Sequence, residues 1–147
     1  MASPDLNKLF RSALSFAERM LAKEGEFIPF GVSMDDAGEI TLVSGDVGSE
    51  HPASKNVIKV LQSSFHDSAR KGKIKAAGVC MDVRIIPPGE ERKTDAICVR
   101  LAHISGEAVE VFVPYTEQSR HKYAYGNTFA SHGGEFVLSR CDSHLTN

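Results

Sequence analysis

The sequence lacks tryptophan and is poor in cysteine, with no Trp and three Cys among 147 residues. The cysteines, Cys80, Cys98 and Cys141, are odd in number, and no two of them form a Cys-x-x-Cys pair. Disulfide-stapled secreted domains carry a denser and even set. The N-terminal residues also lack the basic segment and apolar run of a secretory signal. We therefore predict reduced thiols and a cytoplasmic location.

The chain also lacks a strong charge of one sign and a long apolar run. Its formal net charge is −2 and its pI is about 6.3, which argues against nucleic acid as a partner because phosphate binding needs a basic surface. No stretch approaches the ~20 apolar residues that span a bilayer, so we expect no membrane partner. An apolar fraction of 41% suits a single domain over residues 1–147, with a flexible tail at residues 139–147.

Motifs of several common chemistries are absent as well. The sequence has no glycine-rich phosphate loop, no Gly-x-Ser-x-Gly elbow and no His-Glu-x-x-His zinc motif. Cys141 and His144 have a spacing found in zinc sites, but the two other candidate ligands, His121 and His132, have no recognised spacing. We therefore predict no metal, no cofactor and no catalytic residues.

Apolar periodicity predicts two helices and a set of strands. Apolar residues recur at three- and four-residue steps over residues 3–23, with Ser3 as the N-cap and Gly25 as the left-handed C-cap. A second stripe of this kind runs over residues 52–71. Alternating apolar residues predict a hairpin around a turn at 35–38, three further strands at 79–85, 97–101 and 109–115, and a short sixth strand at 136–138.

The predicted order, α-β-β-α-β-β-β, indicates an α+β fold, in which an antiparallel sheet of five or six strands packs with two main helices. This order resembles the profilin-like or roadblock-like arrangement, in which the second helix links two groups of strands. Such a resemblance concerns the fold and carries no function. Within this fold we expect Leu61 of the second helix and Val111 of the fifth strand to pack in one helix-on-sheet layer.

The short loop 104–106 predicts the register of the last two strands. With Gly106 in the left-handed conformation, the apolar side chains of both strands coincide, and Arg100 lies opposite Glu110. A similar register for the preceding pair of strands places Asp82 beside Arg100. One face of the sheet is then aliphatic, and the other carries a charge row, Asp82–Arg100–Glu110. In this register Cys80 and Cys98 share the less apolar face as packing residues.

The charge row has two interpretations. Cross-strand pairs on a solvated sheet face contribute about 0.2–1 kcal/mol each, which explains the row as a structural feature. Alternatively, Asp82, Arg84, Arg100 and Glu110 form the site of a small-molecule binder or small enzyme, because a guanidinium matches the geometry of a carboxylate or phosphate.

A second candidate surface is the segment 114–127, PYTEQSRHKYAYGN. It combines three tyrosines, Tyr115, Tyr123 and Tyr125, with the basic residues Arg120, His121 and Lys122, and Tyr115, Tyr123 and Arg120 are the candidate binding residues. Tyr and Arg are frequent hot-spot residues of protein interfaces. The segment is therefore either an exposed connection or a binding surface. Because no nucleophile, metal cluster or cofactor motif assembles, we favour a non-enzymatic interaction or binding domain. Its partner is an unidentified protein or a second copy of the chain, and an immunity-type protein that neutralises a toxin is one form of this function.

Five short segments carry a further resemblance, and they extend over much of the chain. They are EFIPFG at 26–31, KAAG at 75–78, DVRIIPPG at 82–89, KTDAI at 93–97 and VPY at 113–115. Together they resemble a family of small bacterial proteins of unknown function, over roughly residues 10–129. The resemblance implies a free-standing bacterial domain, and it implies no mechanism and no site residues.

Overall fold

The computed structural model describes residues 3–45, 53–132 and 134–140. Their helices are α1 (Pro4–Glu24) and α2 (Ser54–Arg70). Their strands are β1 (Phe30–Met34), β2 (Ile40–Ser44), β3 (Ala76–Ile85), β4 (Thr94–His103), β5 (Ala108–Ser119), β6 (Lys122–Tyr125) and β7 (Phe129–His132). The predicted α+β class and element order are confirmed. Most of the predicted tail, residues 141–147, lies outside the described residues.

All seven strands belong to one antiparallel sheet, in the order β2-β1-β3-β4-β5-β6, with β7 also paired to β5. β6 pairs with the C-terminal part of β5 and β7 with its N-terminal part, so these two short strands share one edge of the sheet. α2 links the β1–β2 hairpin to the β3–β4–β5 meander, as the sequence predicts. No helix among the described residues combines the length and apolar character needed to cross a membrane.

The segment 114–127, which we expected to be a loop or exposed connection, is largely a β-hairpin. β5 continues to Ser119, and the chain turns at His121, with φ of 60°, into β6. Polar residues suit these strands because an edge of an antiparallel sheet keeps contact with water. By contrast, residues 136–138 form no strand, and the apolar side chains of Phe136 and Leu138 are buried against the α2 side instead.

α1 begins and ends where its capping residues predict. The hydroxyl of Ser3 accepts a hydrogen bond from the amide of Leu6 at 3.3 Å, which satisfies one of the free amides of the first turn. Gly25 has a φ of 78°, and its amide donates to the carbonyl of Leu21 at 2.9 Å. Because this left-handed conformation is strained for other residues, glycine ends the helix here.

A second contact holds the first turn of α1 against the end of β4. The carboxylate of Asp5 lies 3.0 Å from Nε2 of His103 and 3.4 Å from Nζ of Lys75. The hydrogen bond with His103, followed by the contact with Lys75, lowers the pKa of Asp5. The ionised form of Asp5 is therefore the one that fastens α1 to the sheet.

The two helices cover opposite faces of the sheet. α1 packs on the face that contains Val32, Ile97, Val99 and Leu101, and Leu6 and Leu9 of the helix are completely buried there. α2 packs on the other face, where its buried residues are Val57, Leu61, Phe65 and Ala69. The sheet is thus the middle layer of three. The prediction that Leu61 and Val111 share a layer is wrong, because Val111 packs on the α1 side.

The register of β4 with β5 is as predicted, and the register of β3 with β4 is not. Arg100 pairs with Glu110, but Asp82 pairs with Ile97 and Arg100 pairs with Val79. Because the sheet is covered on both faces, both sides of β3 and β4 are apolar over much of their length, and alternation cannot tell the two faces apart. The connection at 86–93 is also too long to set the register, as a two- or three-residue turn would.

Candidate functional site

The sheet separates the four residues of the predicted polar patch. Asp82 and Arg84 lie on the α1 face, whereas Arg100 and Glu110 lie on the α2 face. The prediction of a charge row Asp82–Arg100–Glu110 is therefore wrong. The prediction of a small-molecule site or active site built from all four side chains is wrong for the same reason. Cys80 and Cys98 also lie on opposite faces and not on a shared one.

The Arg100–Glu110 pair links the sheet to α2. Nε of Arg100 donates to Oε2 of Glu110 at 3.0 Å, and Nη1 of Arg100 donates to Oε1 of Gln62 at 3.1 Å. The Arg100 and Glu110 side chains are only 33% and 24% exposed, so this is not the solvated surface pair that the sequence suggested. Each of these three side chains has a hydrogen-bond partner within the group, so a structural role is sufficient to explain the contact.

The thiols of Cys80 and Cys98 are free and buried. Burial raises the pKa of Cys98 to about 12, with a further contribution from the carboxylate of Glu110, and burial also raises the pKa of Cys80. Since the thiolate is the nucleophile, both groups are unreactive at neutral pH. Among the described residues no group of three or more His, Cys, Asp or Glu side chains is placed to hold a metal ion. The candidate ligands Cys141 and His144 lie outside that part of the chain.

Three tyrosines gather on the α1 face, at the end of the sheet where β5 and β6 pair. The ring of Tyr115 is 5.5 Å from that of Tyr123, edge to face, and 6.3 Å from that of Tyr125. The hydroxyl of Tyr115, which is only 7% exposed, donates to Oδ1 of Asp82 at 2.8 Å. Tyr123 is half-buried and Tyr125 is 38% exposed, so the cluster runs from the core to the surface.

Carboxylates surround these rings. Across the strands Asp95 pairs with Tyr115 and Glu117 pairs with Tyr123, while Glu18 of α1 is close enough to raise the pKa of Tyr125 after the effect of burial. The guanidinium of Arg84 lies 3.9 Å from the carboxylate of Asp95 in an exposed pair. We call Tyr115, Tyr123, Tyr125, Asp82, Asp95, Glu117, Glu18 and Arg84 the tyrosine face. Among these named residues four are carboxylates and one is a cation.

Two carboxylates of the tyrosine face, Asp82 and Glu18, lie where the charged form is disfavoured. Burial, and then repulsion from Asp95, raises the pKa of Asp82, although the hydrogen bond from Tyr115 acts in the opposite direction. Burial also raises the pKa of Glu18. Asp82 remains exposed as a whole residue, so solvent screens part of this effect. The ionised forms of Asp82 and Glu18 are therefore held in surroundings that stabilise them less well than water does.

Asp82→Asn is expected to raise the free energy of unfolding at pH 7 by up to about 1 kcal/mol after solvent screening. The amide oxygen still accepts the Tyr115 hydroxyl, and the repulsion from Asp95 disappears. A carboxyl with a raised pKa in the folded protein binds protons more readily there, so the gain shrinks as the pH falls through that pKa. Urea unfolding at pH 7 and pH 4 measures it, with the exposed Glu91→Gln as control. A less stable variant at pH 7 would contradict this account.

The structure thus brings together only part of the predicted binding set. Tyr115 and Tyr123 are in contact, Arg84 lies at the margin of the same face, and Arg120 is exposed in the β5–β6 turn. Tyr125, which belongs to the same predicted segment, also contacts Tyr115, and its two-residue spacing from Tyr123 places both on one side of a strand. No signal in the sequence could identify Glu18, because it reaches this face only through the packing of α1 on the sheet.

Cavities lie on both sides of the sheet beside the last strands. The larger, of about 460 Å³, lies on the α2 side between the β3–β4 connection at 86–93 and the β6–β7 connection at 126–128. The smaller, of about 310 Å³, lies on the α1 side between Phe10 of α1 and the side chains of Val109, Val111 and His132. Neither cavity contains the Arg100–Glu110 pair.

Comparison with known proteins gives no match. No protein-family model, no curated protein and no solved structure matches this chain. The resemblance of the five short segments to a small bacterial family therefore stays a prediction.

Proposed function

We propose that this protein is a bacterial, cytoplasmic interaction domain without catalytic activity of its own, and that its tyrosine face binds a basic segment of a partner protein. The observation that carries the proposal is the position of Asp82, an acid beside Tyr115 and Asp95 whose charged form is disfavoured where it lies. A carboxylate whose charged form is disfavoured in the free protein has a ready explanation when a cation of a partner offsets that effect.

The tyrosine rings supply the contact area. Tyr115 is fixed by its hydrogen bond to Asp82, and its buried ring packs against the more exposed rings of Tyr123 and Tyr125. A tyrosine ring offers a large contact surface with few rotatable bonds, so little entropy is lost when it is covered. The supported rings are therefore suited to act as anchors.

The carboxylates favour a partner that carries positive charge. A lysine or arginine placed near Asp82 and Asp95 offsets their mutual repulsion, and the exposed face of Tyr125 adds a cation–π contact. The same reasoning disfavours a homodimer through this face, because a two-fold axis would bring like charges together. An immunity-type role, in which the domain covers a basic toxin, is one form of this proposal.

The absence of catalysis is supported by the state of the reactive groups that the structure describes. The thiols of Cys80 and Cys98 have raised pKa values and face opposite sides of the sheet. The arginines of the predicted patch are divided between the two faces, and Arg100 is engaged by Glu110 and Gln62. The Cys98 thiol donates to Oε2 of Glu110 at 3.9 Å, but its raised pKa keeps it protonated at neutral pH, and Glu110 is already engaged by Arg100.

The proposal predicts that a decalysine peptide binds the tyrosine face and that a decaglutamate peptide does not. In an NMR titration at low salt, decalysine should shift the ring signals of Tyr123 and Tyr125. Tyr125→Ala, Tyr123→Ala and Asp82→Asn should each weaken binding by about fivefold or more, which corresponds to about 1 kcal/mol. Arg100→Gln, on the other face, should leave the affinity within about twofold.

Two outcomes would overturn the proposal. One is equal binding of decaglutamate, which would show that the sign of the charge does not matter. The other is equal loss in Arg100→Gln, which would place the binding surface on the α2 side. Arg120→Ala distinguishes the partner class, because loss of a cation in the β5–β6 turn should not weaken the binding of a basic peptide.

A further inference from the structure

The larger cavity, on the α2 side, is not part of the tyrosine face. Pro114 and Phe129 line it, and Phe129 pairs in register with Phe112, a side chain packed at the margin of the α2 cluster. Its volume of about 460 Å³ falls in the range of small-molecule sites, which is about 300–1,000 Å³. A ligand here would therefore bind independently of a partner on the tyrosine face.

One wall of the cavity is a rigid turn. The amide of Glu90 donates to the carbonyl of Pro87 at 3.0 Å, and Gly89 has a φ of 80°. Proline at the second position and a left-handed glycine at the third are the residues of a type II turn. Since Pro88 has a fixed φ and Gly89 accepts a conformation that other residues avoid, this wall is formed before any ligand binds.

The opposite wall provides a flat apolar surface. The ring of Phe129 stacks on that of Phe112, with centroids 5.1 Å apart and an interplanar angle of 17°. The amide of Gly126 donates to the carbonyl of Pro114 at 2.8 Å and holds the β6–β7 connection against β5. A planar apolar group can therefore pack against Phe129 and the proline rings without rearrangement.

The charged groups at the rim favour an anion. Arg92 and Lys93 both line the cavity and both are exposed, and among the described residues that line it Glu90 is the only acidic one. Within the described residues neither cation forms an ion pair, in contrast to Arg100 and Arg70. Thr94 and Thr128 also line the cavity, and the hydroxyl of Thr94 donates to the carbonyl of Tyr115 at 3.5 Å. Two unpaired cations above an apolar floor match an anion that carries a planar ring.

We propose that this cavity binds a small organic anion, a carboxylate or phosphate attached to a planar apolar ring. The anionic group lies between Arg92 and Lys93, and the ring packs against Phe129. Such a site goes beyond the proposed interaction function, because it assigns a ligand to the α2 side of the sheet.

Four probe compounds test separately whether the anionic group and the planar ring of this ligand contribute to binding. Phenyl phosphate and benzoate carry both the ring and the charge, inorganic phosphate carries the charge alone, and benzyl alcohol carries the ring alone. By NMR titration, at least one of the two aromatic anions should bind about tenfold more tightly than inorganic phosphate and benzyl alcohol. The shifted amides should include those of Thr94 and Thr128.

Two variants locate the site. Arg92→Gln and Phe129→Leu should each weaken binding of that aromatic anion by about fivefold or more, whereas Tyr125→Ala and Lys122→Gln should not. Arg92 is exposed, so Arg92→Gln stays informative even where Phe129→Leu disturbs the fold. The lack of an effect in Tyr125→Ala separates this site from the tyrosine face, so that either proposal can fail without the other.

Three results would overturn the inference. Equal binding of inorganic phosphate would indicate a nonspecific ion contact, and equal binding of benzyl alcohol would indicate an apolar pocket without charge selection. Failure of both aromatic anions to saturate the protein at about 10 mM would show that the cavity is not a site for this class of ligand.

Discussion

Leu61→Ala should lower the free energy of unfolding by about 2–5 kcal/mol. Leu61 is 1% exposed and lies at the centre of the apolar stripe of α2, between Val57 and Phe65. Removing its branched end loses buried apolar area and leaves a cavity between α2 and the sheet. Neither element can move far enough to fill this cavity completely. Urea unfolding, followed by circular dichroism, measures the change through the midpoint at constant slope.

Val111→Ala is the matched comparison for this result. Val111 is half-buried and packs on the α1 side, so we expect a smaller loss than for Leu61→Ala. Because the sheet separates the two residues, the losses in the double variant should add within about 0.5 kcal/mol. A coupling energy well above that value would place both residues in one layer, as the sequence alone suggested.

Gly31→Ala should destabilise the protein by about 1–3 kcal/mol through overpacking. A Cβ atom at Gly31 would lie 2.5 Å from Cζ and 2.7 Å from Cε2 of Phe65, and 3.3 Å from Cδ2 of Leu61. These distances are shorter than van der Waals contact, so α2 must move away from β1 or Phe65 must leave its rotamer. Thermal or urea unfolding measures the loss.

The control for this variant is Gly126→Ala, where the new Cβ atom comes no closer than 3.5 Å to its neighbour, Pro114. We expect a change within about 0.5 kcal/mol there. The double variant Gly31→Ala/Phe65→Leu should lose less than the sum of the two single variants, because the shorter side chain makes room for the methyl group. An unaltered stability of Gly31→Ala would show that α2 does not approach β1 as closely as the distances indicate.

Leu61→Ala and Gly31→Ala also test whether the proposed function depends on the stability of the α2 layer. Both act on the contact between α2 and the sheet, whereas the tyrosine face lies on the α1 side. At a temperature where the variants remain folded, binding of decalysine should therefore be retained. Loss of stability with retained binding would indicate that the tyrosine face is built independently of the α2 layer.

Local interactions made several elements predictable from the residues alone. Ser3 and Gly25 mark the two ends of α1. These ends were predictable because capping depends on a few neighbouring amides and carbonyls. The loop at 104–106, with Gly106 at a φ of 98°, set the pairing of β4 with β5. A loop of three residues allows few registers, so the pairing of Arg100 with Glu110 followed directly from the sequence.

The tertiary structure alone decided which sides of the sheet the functional residues occupy. β3 and β4 are apolar on both sides because a helix covers each face, and the eight-residue connection between them permits more than one register. Asp82 therefore pairs with the Tyr115 hydroxyl, 33 positions along the chain, and not with Arg100. The tyrosine face and the cavity beside Arg92 both depend on such distant contacts, which hydrophobic periodicity does not encode.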